Sequence, residues 1–242
     1  MSLSIVTWNV KWATPRAWSR TPEILVRIKT YAPEVVCLTE SHADLLSPKG
    51  HTICSQPDAG YGVKGARRKV VLWSEEPWEH IDHKGSASLP PGRFVSGVTR
   101  TSLGLVKVVG VCIPWFGSRT ESHREADRRE RWEDHEQYLA GLTKVLAEDS
   151  ELPIIVIGDY NQRIGAGRWV PKKLQEALQD AFPRGMTIAT DALTFEERRT
   201  IDHIAVSGDL AAESVKAISN IHEPCRLSDH FGVAARLSAT PT

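Results

Sequence analysis

The chain has 242 residues, 41% of them hydrophobic and 25% charged, an ordinary globular composition with enough apolar residues for a sizeable core. Its 30 Lys and Arg balance 30 Asp and Glu, so no global field draws it to nucleic acid, although a local basic patch would suffice. No apolar run approaches membrane-spanning length. The opening MSLSIVTWN has no basic n-region or long apolar h-region, so no signal peptide is expected. The cysteines Cys37, Cys54, Cys112 and Cys225 form no CxxC pair. Reduced, buried thiols and a cytoplasmic location are expected.

In chain order, a strand is predicted at about 3–8, followed by a helix from Thr21-Pro22-Glu23, with Thr as N-cap, Pro at the first helical position and Ile24, Leu25 and Ile28 at helical spacing. Strands follow at about 34–39, 51–55, 69–73, 94–100 and 104–113, β-branched runs bounded by Gly, Pro, Asp or Ser. A long helix is predicted over about 121–148, opened by a Ser122–Glu125 capping box and striped by Trp132, Leu139, Leu142 and Leu146. The mixed charges of its first half read as a solvated face. A strand at 153–158, a short helix after Pro171 through Leu174, Ala177 and Leu178, and strands at 202–207, 214–219 and 231–237 complete the pattern. There is no repeat, low-complexity tract or linker. One strand-rich α/β domain spanning residues 1–242 is expected.

The apolar strands meet polar clusters abruptly. SIVTWN ends in Asn9, EVVCLTE in Glu40, and IIVIGDYN in Asp159 and Asn161. Asp202 and His203 come just before one late apolar run, and Ser228, Asp229 and His230 just before another. If the late strands run antiparallel to the early ones, all five clusters gather along one edge. Carboxylates so close repel one another unless a cation neutralises them or protons are shared. Oxygen donors with few thiols or imidazoles suit Mg²⁺ or Mn²⁺ better than Zn²⁺.

Blander readings exist for three of the clusters. Gly-Asp-x-Asn is good turn chemistry, Asp202-His203 can begin a strand, and His203 and Ser228 read as structural. His80 and His83 have a spacing compatible with a metal on a helix, but lack further ligands nearby and read as surface residues. IIVIGD resembles a Walker B strand, but no GxxxxGK[ST] is present, and no GxSxG either, which argues against an NTPase and an α/β-hydrolase.

Taken together, TWNVK, LTES, GDYNQ, IDHI and LSDHFG, in this order over almost the entire chain, resemble the endonuclease/exonuclease/phosphatase superfamily. The resemblance implies two mixed β-sheets packed face to face as a sandwich and flanked by helices. It implies Glu40 as the main ligand of a Mg²⁺ or Mn²⁺ ion, with Asn9 and Asp229 close to it. It also implies Asp159 as the group that orients and deprotonates water, Asn161 as a hydrogen-bond partner of the phosphate, and His230, oriented by Asp202, as its electrostatic partner. The physics agrees: an anionic phosphodiester repels hydroxide, so a hydrolase needs a cation on the phosphoryl oxygens and an acceptor for the water's proton.

Two positions depart from that pattern. Lys11 stands where many nuclease members carry a second carboxylate, leaving the metal fewer ligands or placing an ammonium on the phosphate. Cys112 stands near where a His or Tyr often ends the central strand. Substrate contacts are expected from Lys11 and from Trp115 and Trp169, whose rings would line the cleft; Trp12 is placed similarly. Arg67 and Arg68 in VKGARRK, with Lys64 and Lys69, read equally as contacts to backbone phosphates or as solvated loop residues. Trp8, Trp73 and Trp78 are expected in the core. The expected activity is metal-dependent hydrolysis of phosphodiesters in DNA or RNA. Hydrolysis of a small-molecule or lipid-headgroup phosphoester, and a degenerate phosphate-binding role, stand as alternatives.

Overall fold

The computed structural model describes residues 1–17, 19–57, 63–118, 130–147, 150–165 and 170–240. One six-stranded sheet is formed by β1 (Leu3–Ala13), β2 (Val35–His42), β3 (His51–Cys54), β4 (Arg67–Ser74), β13 (Leu210–Ile218) and β16 (Gly232–Ala239), in the order β13-β16-β1-β2-β4-β3. The other is formed by β5 (Trp78–Asp82), β6 (Phe94–Thr101), β7 (Gly104–Cys112), β8 (Ile154–Asp159), β9 (Thr187–Ile188) and β12 (Asp202–Val206), in the order β5-β6-β7-β8-β12-β9. Two small ribbons, β10 (Thr194–Phe195) with β11 (Arg198–Arg199) and β14 (Ile221–His222) with β15 (Cys225–Arg226), lie at the ends.

The period-2 alternation of strand side chains decides the layering. On β1, Leu3 and Ile5 join Cys37, Leu72, Val108, Ile155, Ile157 and Ile204 in a core between the two sheets. The intervening Val6, Trp8 and Val10 face the other way, against Ile24 and Ile28 of α1 (Thr21–Lys29). On β8, Ile155 and Ile157 face the first sheet, while Ile154 and Val156 pack under Tyr138, Leu139 and Leu142 of α2 (Glu133–Leu146) and Leu178 of α3 (Lys172–Asp180). The unbroken apolar run of β8 follows from its being covered on both faces. The architecture is the expected sandwich of two mixed sheets between helices.

The ten expected strands are all present, and β5, β9 and the four short strands of the two ribbons are additions. The WEHID of β5 buries only Trp78, and His80 sits there on an exposed edge strand rather than on a helix. α2 corrects the helix expected at 121–148. Its first helical residue is Glu133, and Trp132 before it has left-handed backbone (φ 72°), which ends any helix entering from the N-terminal side. Trp132 stacks instead near Phe116 and His135, at centroid distances of 5.8 and 5.1 Å. The Ser122–Glu125 box lies outside the described residues. At α1, Arg20 is the N-cap, and the Thr21 hydroxyl donates to the Thr14 carbonyl rather than capping. Trp8 and Trp78 are buried and Trp73 is half-buried. Cys37 and Cys112 are free, buried thiols, whereas Cys54 is half-buried and Cys225 exposed, contrary to a uniformly buried set. Among the described residues no helix is long and apolar enough to cross a membrane.

Candidate active site

Strand direction brings the polar clusters together. β1 and β2 run parallel and end on the same edge, with Asn9 opposite Thr39. β16 runs antiparallel to β1, so Asp229 and His230, just before it, return to that edge. In the second sheet β12 is antiparallel to β8, and Asp202 pairs with Asp159 at the corresponding end. A bulge in β1 between Asn9 and Ala13 turns Lys11 and Trp12 into left-handed backbone (φ 46° and 57°). Glu40 (φ 47°) and Asn161 (φ 51°) share that conformation. Strain of this kind in non-glycine residues persists where surrounding contacts over-determine it, commonly at functional sites. Gly158 (φ 143°) is the one residue type possible before Asp159, because a Cβ there would overlap the Val111 carbonyl oxygen of the adjacent strand.

Asn9 ties the two sheets at this edge. Its Nδ2 donates to Asp159 Oδ2 (2.9 Å) and its backbone N–H to Asp202 Oδ1 (3.0 Å). Its Oδ1 accepts from the Lys11 N–H, and its carbonyl accepts from the Ser228 hydroxyl (2.7 Å). Asp159, 1% exposed, also accepts from the Asn161 backbone N–H (2.8 Å) and Nδ2 (2.9 Å). The second amide hydrogen of Asn161 goes to the Ile113 carbonyl (2.9 Å). His230 Nδ1 donates to Asp202 Oδ2 at 2.6 Å, while no protein group among the described residues takes its Nε2. A carboxylate oxygen from each of Asp159 and Asp202 and a ring nitrogen of His230 lie within 4.8 Å of one another.

Electrostatics separates these groups. Burial pushes the Asp159 carboxyl up to about 7, opposed by His230 and by the Asn9 and Asn161 bonds and reinforced by Asp202. Burial alone would lower the His230 imidazole, but Asp202, helped by Asp159 and Asp229, raises it to about 10. A carboxyl poised near neutrality thus faces an imidazolium that keeps its proton, the separation expected of an acid–base pair. Asp229 is drawn below the usual carboxylate range: burial opposes this, and His230 and Lys11 outweigh it.

Glu40 and Asp229 each carry an ammonium partner. Lys69, its side chain only 6% exposed, places Nζ 2.7 Å from Glu40 Oε1, and the same Nζ sits 5.0 Å from the Trp12 ring centroid. Lys69 is therefore a buried partner of Glu40 rather than a solvated loop residue. Lys11 Nζ lies 3.3 Å from Asp229 Oδ2 in a more exposed pair. The charges of Lys69, Asp159 and Glu40 all act on the buried Cys112 thiol, which burial pushes up to about 12. The oxygens gathered at this edge are those of carboxylates and carboxamides, a set that fits a hard divalent cation. A cation held by Glu40 would share its carboxylate with the Lys69 ammonium.

The remaining expected contacts are scattered around this centre. The Arg67 guanidinium lies 5.5 Å from the Trp12 ring centroid. Arg68 donates to the Gly65 and Arg67 carbonyls of its own segment. Trp115, two residues beyond the Ile113 carbonyl that holds Asn161, is 51% exposed, with its ring edge on Phe116. Trp169 lies outside the described residues. His203 is fully buried between Thr190 Oγ1 and the Gln162 carbonyl, and burial lowers it to about 4, consistent with a structural role. Sequence reasoning missed Arg163, Arg198 and Arg199, which line a 130 Å³ cavity with Asp202, Asp229 and His230. The RRT preceding Ile201 and Asp202 was the available signal.

A model of the Endonuclease/Exonuclease/phosphatase family matches residues 6–230. The chain belongs to that family. Its members are divalent-metal-dependent hydrolases of phosphoester bonds, and the acidic and histidine cluster lies within the matched residues. No curated protein sequence matches. Among solved structures with this family fold, the 3′ phosphatase NExo from Neisseria bound to a product DNA hairpin is 17% identical with a TM-score of 0.68, over 96% of this chain and 98% of that one. D. rerio TDP2 complexed with single-strand DNA product is 15% identical with a TM-score of 0.64, over 98% and 99%. An endonuclease/exonuclease/phosphatase from Beutenbergia cavernae is 16% identical with a TM-score of 0.63, over 98% and 72%. At these identities the likeness concerns the fold.

Proposed function

We propose that the protein hydrolyses phosphodiester bonds of DNA or RNA with Mg²⁺ or Mn²⁺. The observation that carries this reading is the meeting of the buried Asp159 carboxyl, which burial raises towards neutrality, with the His230–Asp202 pair at one strand edge. Asp159 accepts the proton of the attacking water as the water oxygen bonds to phosphorus. Asn9 and Asn161 hold its carboxylate in place. For Asn161 to contact the phosphate as well, one of its two amide bonds must be released. His230, fixed through Nδ1 by Asp202, presents Nε2 and a positive charge to the phosphoryl oxygens as the bond to the leaving oxygen breaks. Glu40, Asp229 and Asn9 would hold the cation, which supplies charge neutralisation on the phosphate when bound. Lys11 and Arg67 border this centre as cations for neighbouring phosphates, and the exposed Trp115 ring offers a stacking surface for a base.

The similarity to two DNA-bound structures supports a polynucleotide over other esters. In this reading residues 1–242 act as one domain, and the free thiols Cys37 and Cys112 suit the cytoplasm. The 130 Å³ cavity beside His230 is small enough to favour, as a second reading, a compact phosphoester. A panel of plasmid, single-stranded oligonucleotide, RNA, inositol phosphates and phosphocholine esters with Mg²⁺ separates the two. Turnover of polynucleotides is expected. Turnover confined to the small esters would reject the nuclease reading.

A further inference from the structure

The hairpin β10–β11 has no role in the site so far, yet it delivers two arginines beside His230. Its turn, Glu196-Glu197, has positive φ at both positions (47° and 61°), the two-residue geometry that matches strand twist but ordinarily calls for Asn-Gly. Something must hold two glutamates in that conformation, and three contacts around the hairpin do so. Phe195 packs on Phe231, adjacent to His230, at 5.5 Å between centroids. Arg226 takes the Glu196 carboxylate (3.3 Å). Thr200, at the hairpin's end, donates its N–H to the Leu193 carbonyl and its hydroxyl to the Asp202 carbonyl. The hairpin is therefore fastened to the start of β12, which carries Asp202, and to the Phe231 that follows His230.

Arg199 is fixed as well. Its Nη1 donates to the Ile164 carbonyl (2.8 Å) and lies so close to Gly165 that a Cβ there would stand 2.6 Å away. Arg163, three residues past the Tyr160 that follows β8, lines the same cavity. Among the described residues none of Arg163, Arg198 and Arg199 is in an ion pair. The acids in the wall are engaged elsewhere, Asp202 with His230 and Asp229 with Lys11. Three arginines thus border a cavity of 130 Å³, the volume of about four waters and of the size of one tetrahedral oxyanion.

We propose that Arg163, Arg198 and Arg199 form a second phosphate subsite, which takes a phosphate of the substrate next to the one being cleaved. This rests on the phosphoesterase reading and narrows its substrate to molecules carrying two phosphates. That second group is either the neighbouring phosphate of a polynucleotide or a second phosphate on a small molecule, and both present the same dianionic or monoanionic oxygens to the arginine forks. The subsite lies on the His230 side of the centre, next to β16, and Arg67 lies on β4 beyond β1 and β2, so a strand passing through would meet cations both before and after the scissile phosphate.

Titration calorimetry in the presence of EDTA tests binding apart from turnover. Thymidine 3′,5′-bisphosphate is compared with thymidine 5′-phosphate, and inositol 1,4-bisphosphate with inositol 1-phosphate. The wild-type protein is expected to prefer the bisphosphate of at least one pair by about tenfold or more, and the pair with the larger ratio identifies the source of the second phosphate. Arg198→Ala and Arg163→Ala, which spare the Arg199 bond to Ile164, should each bring that ratio towards one. Equal affinities for both members of each pair in the wild type, or ratios unchanged in both variants, would overturn the subsite. A protein that shows the preference but hydrolyses no phosphoester keeps the subsite and loses the catalytic reading.

Discussion

Asp159→Asn is expected to lower kcat for phosphodiester hydrolysis by about 10²–10⁴-fold, the range for loss of a general base, with the fold retained. The substitution is nearly isosteric, but it removes the proton acceptor. It also turns an amide NH₂ against donors, because Asp159 Oδ2 accepts from both Asn9 Nδ2 and Asn161 Nδ2 and Oδ1 accepts from the Asn161 N–H. The lost hydrogen bonds are partly offset by relief of a buried charge, so the melting temperature should move only a few degrees. The pH profile carries the same assignment. With Asp159 raised to about 7 by burial, its carboxylate form accumulates as pH rises, so kcat/KM should climb through the neutral range; a bound cation lowers that midpoint. His230, held protonated up to about 10, should keep the activity level until strongly alkaline pH and then let it fall. Retention of more than a tenth of wild-type kcat by Asp159→Asn, or activity that declines as pH rises through 7, would remove Asp159 from the base role.

Lys69→Met should tighten Mn²⁺ binding by about tenfold or more while destabilising the metal-free protein. The Lys69 ammonium is almost fully enclosed and 2.7 Å from Glu40 Oε1, the carboxylate proposed to hold the ion. Cation and ammonium therefore compete for one carboxylate, and removing the ammonium without removing its bulk frees the site. In EDTA the variant leaves Glu40, 24% exposed, without its counter-ion, a loss of about 2–4 kcal/mol by comparison with other broken, largely buried pairs. Added Mn²⁺ should then restore the melting temperature of the variant more than that of the wild type. Mn²⁺ electron paramagnetic resonance titration and thermal melts read both effects without any turnover. Mn²⁺ affinity unchanged in Lys69→Met would show that the ion does not use Glu40.

What the sequence revealed and concealed follows from locality. Asn9, Glu40, Asp159, Asp202 and His230 stood out because each interrupts or adjoins an apolar run that ends or begins a buried strand, and a charge in that position needs a partner. The antiparallel return of β12 and β16 then brought them to one edge, as strand order alone suggested. Lys69 was hidden by its neighbours. Lys64, Arg67 and Arg68 make the segment look like a solvated loop, whereas β4 already begins at Arg67 and Lys69 is enclosed by its Glu40 partner and the Trp12 ring. The β10–β11 hairpin left no turn signature, because Glu196 and Glu197 occupy positions that normally call for Asn and Gly, and tertiary packing on Phe231 compensates. Arg198 and Arg199 consequently read as ordinary surface charges. The α2 start was misplaced for a similar reason: helix-favouring charges continue upstream, but the left-handed backbone at Trp132, packed against Phe116 and His135, overrides them.

The account depends on residues from five strand ends acting as one hydrolytic centre. Hydrolysis of bis-p-nitrophenyl phosphate by the purified wild-type protein, followed in Mg²⁺ or Mn²⁺ and again after EDTA, measures this without assuming any larger substrate. Release of p-nitrophenol with either ion, abolished by EDTA and restored by adding the ion back, is the predicted result. A folded protein that releases none with either ion, or that releases it equally well in EDTA, would contradict it.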